Sequence, residues 1–347
     1  MLRRSFAAAA AIAPIFPMHA FMQAKSPPKI GVDLFSVRSS SLDAFGFLDY
    51  AAGLGAHMVH FSEVRFLGSL EDDHVRKVRS HAEKAGIELE VGMRSICPSS
   101  KAFDSKQGTA EQQLERVMRA ASLAGSKIVR AFLGTMEDRR GPIPIEGHIE
   151  NAAKVLRNVK SRAQDLNLKI AIENHAGDMQ GRELRQLIEA AGKDFVGAVL
   201  DSGNPLWALE DPHVTLEAVA PYVLTSHVRD SAVWRIPEGA AVAWTRLGEG
   251  NIGIESYLKR YIELCPGRAI SLEIIVTNGR KFPYYDAKFW DGYRNVPAWS
   301  FAQFVSLADK GQPRPDRESI PKEQQPARER ADLEASMQWL KKFLAAA

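Results

Sequence analysis

Eight short runs rich in β-branched residues punctuate the chain from Lys29 onward, at 29–37, 57–63, 87–93, 127–133, 169–174, 196–201, 223–228 and 270–276. Each is bounded by turn chemistry and followed by a stretch of helical period, as buried parallel strands are. Ile149, Ala153, Leu156, Val159, Ala163 and Leu166 form one apolar stripe, and Asn167 is its expected stop. Leu333, Met337, Leu340 and Leu344 form another in the tail. Eight alternating units predict an α/β chain closed into a (β/α)8 TIM barrel rather than an open sheet. With 45% hydrophobic residues, the chain can fill such a core.

Two segments exceed a minimal barrel. The segment after strand 4, "GTMEDRRGPIPIEG", is long, and the one after strand 8 runs from Thr277 to about Glu329 and is rich in aromatics and proline. Loops of this size are functional lids or structural cover. "FAQFVSLADKG" within the second reads as a short extra helix, and Phe282, Tyr284, Tyr285 and Trp290 are candidates to stack on a ligand ring.

The N-terminus differs from the rest. Residues 1–28 carry a basic start, an Ala-rich apolar run and small residues at Ala20 and Ala24, the layout of an export signal. "RRSF" (Arg3–Phe6) resembles a twin-arginine signal, although Leu2, Pro14 and Pro17 depart from that pattern. The barrel domain is therefore expected over 29–347. A working signal would make the protein periplasmic or otherwise exported, and a non-functional one would leave it cytoplasmic. No membrane span is expected after it. The formal charge of +3, with no long basic run, gives no support to nucleic-acid binding. Cys97 and Cys265 lack the spacing of a metal ribbon or redox pair and read as free thiols.

In a (β/α)8 barrel the chemistry sits at the C-terminal ends of the strands. Strand 5 ends in Glu173 and His175, strand 6 in Asp201, strand 7 carries His227 and strand 8 carries Glu273. Singly, Asp201 reads as a turn former and His227 as a hydrogen-bonded core residue. Glu273 stands between Leu272 and Ile274, so it faces the barrel axis. Together they offer three oxygens and one nitrogen, which suits one hard or borderline divalent ion with positions open for substrate.

The ordered motifs "IVRAFLG", "IAIENHAG", "VLDSGNP", "TSHVRD", "RLGEGNIGI" and "SLEII" resemble the xylose isomerase-like TIM barrel superfamily, in its sugar phosphate isomerase/epimerase branch, over essentially all of 29–347. The resemblance implies that Glu173, Asp201, His227 and Glu273 hold one divalent metal, Mn²⁺ first, with Mg²⁺, Co²⁺ or Zn²⁺ as alternatives. It also implies that Glu173 and Glu273 are the catalytic pair, moving a proton next to the carbonyl of a carbohydrate through an enediolate. Homo-oligomers are common in that family. Asn204 stands where sugar epimerases of the family carry His, and "SAVW" (Ser231–Trp234) where they carry Arg. His175, Asn204 and Arg229 are the candidate substrate-binding residues. These departures keep a lyase or hydratase acting on a keto-sugar or oxidised glycoside open, and also a sugar-binding barrel without turnover. The three-zinc branch that cuts DNA at abasic sites needs more His and Asp ligands than this chain offers. No phosphate-binding signature is present.

Overall fold

The computed structural model describes residues 27–346, so the leader segment falls almost wholly outside the described residues. The eight expected strands form one parallel sheet: β1 (Ile30–Asp33), β2 (Met58–Phe61), β3 (Glu88–Ser95), β4 (Ile128–Phe132), β5 (Lys169–Glu173), β6 (Val196–Asp201), β7 (Val223–His227) and, after an inserted hairpin, β10 (Ile270–Leu272). Strand β10 pairs with β1, and the ring closes where Val228 N donates to Ser271 O at 2.7 Å and Glu273 N donates to Val228 O at 3.1 Å. Most strands end sooner than the apolar runs suggest, although β3 runs on to Ser95 and β6 ends at Asp201 as expected. Asp33 Oδ1 accepts from Phe35 N at 2.7 Å and turns the chain into a 3₁₀ turn, so β1 stops well before residue 37. Glu273 lies one residue beyond β10, not inside the strand.

The expected stripe is buried from Ile149 to Ala163 but split into helices Ile145–Asn158 and Lys160–Asp165, with Val159 at the junction and Leu166, half-buried, capping the second. Asn167 adopts φ 52°, the left-handed conformation of a helix stop. Helix Gln325–Ala346 buries Leu333, Met337 and Leu340. Cys97 and Cys265 are free and buried. No helix among the described residues is long and apolar enough to cross a membrane.

The main departure follows β7. The segment containing "SAVW" is β8 (Asp230–Ile236), paired antiparallel with β9 (Gly239–Thr245) and followed there by β11 (Arg280–Phe282). Gly239 takes φ 152°, and a Cβ there would meet Phe282 O at 2.3 Å, so this crossing requires glycine. The aromatic segment packs on that small sheet. Phe282 and Tyr284 are buried, Tyr284 meets Phe301 at 5.0 Å, and Trp290 meets Phe301 at 4.9 Å between ring centroids. Phe301 belongs to helix Ala298–Lys310, the expected extra helix, which docks against β8. These rings are structural cover rather than a sugar platform; of the four candidates only Tyr285, at 67%, is strongly exposed. Edge-to-face burial of this kind, not ligand stacking, accounts for the aromatic content.

One buried carboxylate outside the barrel mouth sets a pH response. Glu210 accepts from Gly181 N at 2.7 Å and from the Thr215 hydroxyl, and burial pushes its pKa up to about 7. A raised carboxyl stabilises the fold fully below its unfolded value, and that contribution is lost as pH rises through the folded value. Glu210→Gln should therefore gain stability relative to wild type, by on the order of 3 kcal/mol, between pH 4.5 and pH 8. Urea unfolding at both pH values measures it, and a difference that does not change with pH would contradict the assignment.

Candidate metal centre

Ligand atoms of Glu173, Asp201, His227 and Glu273 all lie within 4.8 Å of one another, and all four residues are buried. Barrel register brings them together. Asp201 and His227 are direct partners across β6 and β7, Glu173 ends β5, and Glu273 follows β10. His227 Nδ1 sits 3.1 Å from Glu173 Oε2 and 3.3 Å from Glu273 Oε2, without an aligned hydrogen bond to either. Two carboxylates thus flank one imidazole nitrogen.

The surroundings fix these side chains. Arg130 on β4 contacts Glu173 Oε2 from Nε at 2.6 Å and from Nη2 at 2.5 Å, and donates from Nη1 to Met93 O at 3.1 Å. Burial alone would raise the Glu173 carboxyl, but Arg130 and then His227 outweigh it and hold the pKa at about 2. Arg229 contacts Asp201 Oδ2 at 2.5 Å through Nη2, and the same nitrogen contacts Glu273. Burial also opposes ionisation of Glu273, yet Arg229 and His227 keep it well below the usual carboxylate range. Asp201 behaves differently: burial pushes it up to about 7 despite Arg229. On the far side of His227, Nε2 faces Asp33 Oδ2 at 3.1 Å and His60 Nδ1 at 3.2 Å. Asp33 and His60 are themselves register partners on β1 and β2.

These residues fit a divalent cation. With Asp33, Glu173, Asp201 and Glu273 all ionised and His227 neutral, the state that metal ligation requires, Arg130 and Arg229 offset two of the four carboxylates and leave two negative charges for a cation. Three oxygen donors and an imidazole nitrogen without a hydrogen bond are a hard-to-borderline ligand set. Asp33 behind His227 is the kind of partner that fixes a ligating imidazole.

Of the candidate substrate residues, Asn204 and Arg229 join the cluster and His175 stands beside it. Asn204 Nδ2 bonds Asn174 O at 2.9 Å and reaches Glu173 Oε1 at 3.4 Å. His175 bonds Gly134 O through Nδ1 at 2.8 Å and stacks on Phe132 at 3.8 Å. Sequence reasoning overlooked Arg130, Asp33 and His60. Each is a polar residue inside an apolar β run, "IVRAF", "IGVD" and "MVHF", the same signal that singled out Glu273. Trp207 and Trp244, stacked at 4.3 Å beside Arg229, were also overlooked.

Comparison with known proteins agrees with this architecture. Residues 48–287 match the family model described as xylose isomerase-like TIM barrel. A 3-oxo-isoapionate decarboxylase of Pectobacterium atrosepticum is 24% identical over 188 residues, 54% of this chain, and the chain spans only 61% of that curated relative's length. A xylose isomerase domain protein from Planctomyces limnophilus superposes with a TM-score of 0.61 at 15% identity, covering 92% of this chain and 99% of the other. A D-psicose 3-epimerase with D-tagatose from Clostridium cellulolyticum H10 gives 0.57 at 14% identity, covering 81% and 96%. With more than half of its length matched by the family model, and with eight parallel strands carrying the ligand cluster at their exits, the chain belongs to the xylose isomerase-like TIM barrel family.

Proposed function

We propose that this protein is a divalent-metal-dependent sugar isomerase or epimerase that moves a proton next to the carbonyl of a carbohydrate. The observation that carries this reading is the convergence of Glu173 and Glu273 on His227 Nδ1, at 3.1 and 3.3 Å, with Asp201 in the same cluster. Glu173, Asp201, His227 and Glu273 would hold the ion, Mn²⁺ first and Mg²⁺, Co²⁺ or Zn²⁺ as alternatives. When bound, it supplies Lewis-acid polarisation of the carbonyl. Glu273 takes the proton from the neighbouring carbon and Glu173 faces the substrate from the other side, so return of the proton to either face sets the product. Burial excludes water from both carboxylates and strengthens the fields they act in. His175 and Asn204 stand where they can meet sugar hydroxyls.

One feature favours a second reading, a lyase on a keto-sugar or oxidised glycoside. Arg130 commits Glu173 Oε2 to two N–H donors, so Glu173 is the weaker partner in a two-base exchange. Loss of a leaving group or of CO₂ next to a carbonyl needs only one free carboxylate. The decarboxylase relative points the same way.

Protein loaded with Mn²⁺ and incubated in D₂O with ketoses, aldoses and 3-keto-glycosides should place deuterium next to the carbonyl of at least one compound, as read by NMR. Chelation should stop it. Product identity then separates isomerase from lyase. Tight metal binding with no exchange in any compound would instead favour a sugar-binding barrel.

A further inference from the structure

A cavity of about 280 Å³ lies between the exits of β2 and β3, on the same strand-exit face as the metal centre. Val64, Leu70, Met93, Ala102 and Val117 give it an apolar lining. Val117 belongs to helix Ala110–Leu123, and Met93 is the strand residue whose carbonyl holds Arg130. Leu70 is one of three large apolar side chains exposed among the described residues. Covering such a lining with an organic body is favourable. A cavity of about 150 Å³ holds a benzene ring, so one ring with a short substituent fits here.

The charges around this lining are not balanced. Glu63 meets Arg65 Nε at 2.6 Å, and the two cancel. Asp104 is turned to its own loop, where Oδ1 accepts from Lys106 N at 3.1 Å and Oδ2 from Gln107 Nε2 at 2.9 Å. Those two residues lower its pKa most, and Arg94 least. Gln113 spends Nε2 on Asp104 O at 2.8 Å and Gly108 O at 2.9 Å, and Ser95 spends its hydroxyl on Leu133 O. Two guanidiniums remain. Arg94 lines the cavity with no hydrogen bond or ion pair among the described residues, and Arg116 has only the Gln107 carbonyl, 2.6 Å from Nη2. Even with Asp104 counted against them, one positive charge is in excess. A dianion would overshoot that excess and a cation would add to it, whereas a carboxylate matches the guanidinium fork.

We propose that this cavity binds a small amphipathic monoanion, an aromatic or branched carboxylate whose body covers Met93, Val117 and Leu70 and whose carboxylate meets Arg94 and Arg116. None of the four metal ligands lines the cavity, so the site stands independently of the metal-centre reading. Arg94 and Arg116 are exposed, so water and salt screen them and the charge preference is modest.

Fluorine NMR titration of the metal-free protein at low salt tests it with 4-fluorobenzoate and 4-fluorobenzyl alcohol, which share a ring and differ in a carboxylate replacing a hydroxymethyl. Wild type should bind the acid at least about fivefold more tightly, the effect of one partly screened charge-assisted contact. Replacing both cations, Arg94→Gln with Arg116→Gln, should bring the two affinities within about twofold. Ala102→Phe fills the cavity and should weaken both compounds by at least about tenfold. Should that variant not fold, Leu70→Glu takes its place: a carboxylate at the rim should weaken the acid by at least about threefold and spare the alcohol. Equal affinities in wild type, no binding of the acid, a preference that survives the double variant, or binding unmoved by the Ala102 or Leu70 variant would each overturn the proposal.

Discussion

Glu273→Gln should lower metal-dependent deuterium exchange by about a thousandfold at saturating Mn²⁺, within the range that a positioned general base contributes. Gln is nearly isosteric and keeps an oxygen for the ion, but its amide cannot accept a proton. Glu273 lies 5% exposed at the barrel mouth, 3.3 Å from His227 Nδ1, and its contact with Arg229 keeps it ionised and ready to act as a base. A Mn²⁺ titration of the same variant separates the two roles of the side chain. Lost exchange with metal still bound assigns proton transfer to Glu273. A loss below about tenfold once the metal site is saturated would remove it from that role and leave it a ligand only.

The largest expected effect on stability belongs to Arg130. It lies 5% exposed and meets Glu173, which is fully buried, through two nitrogens. Removing one partner of a buried ion pair strands the other charge, at a cost of about 3–5 kcal/mol. Arg130→Leu also strips a donor from Met93 O. In the presence of chelator this variant should lose about that much stability in urea unfolding. Combining it with Glu173→Gln should recover a large part, because the stranded charge disappears and the two sites share one interaction. A loss under about 1 kcal/mol, or a double variant no better than the single, would show that Glu173 does not depend on Arg130.

The convergence of Glu173, Asp201, His227 and Glu273 was legible in the sequence for a local reason. Alternation along "SLEII" points Glu273 to the barrel axis, and although β10 ends at Leu272, the bond from Glu273 N to Val228 O continues the pairing by one residue. Arg130 carries the same mark in "IVRAF", but inside β4 rather than at its exit. Asp33, at the end of β1, and His60, in β2, meet His227 across the barrel, a contact that neither strand's own sequence announces. The hairpin of β8 and β9 is partly readable, for "VWRI" and "AAVAWT" flank Pro237–Gly239, but nothing local says that β11, some forty residues on, completes that sheet. The aromatic segment misled for a related reason. Phe282, Tyr284 and Trp290 look like a ligand platform until Phe289 is found against the first, and Phe301 and Phe304 against the other two.

By itself, then, the sequence determined the eight-stranded barrel, its closure, the helix stripes and the four residues that converge at the strand exits. Those properties follow from period and strand order, which the chain writes out residue by residue. The tertiary structure alone decided which guanidinium sits on which carboxylate, how far Glu173 and Asp201 differ in acidity, and why Arg229 is left with unpartnered donors under Trp244. These depend on burial and on contacts between residues 28 to 44 positions apart, fixed only once the barrel closes and the local dielectric falls.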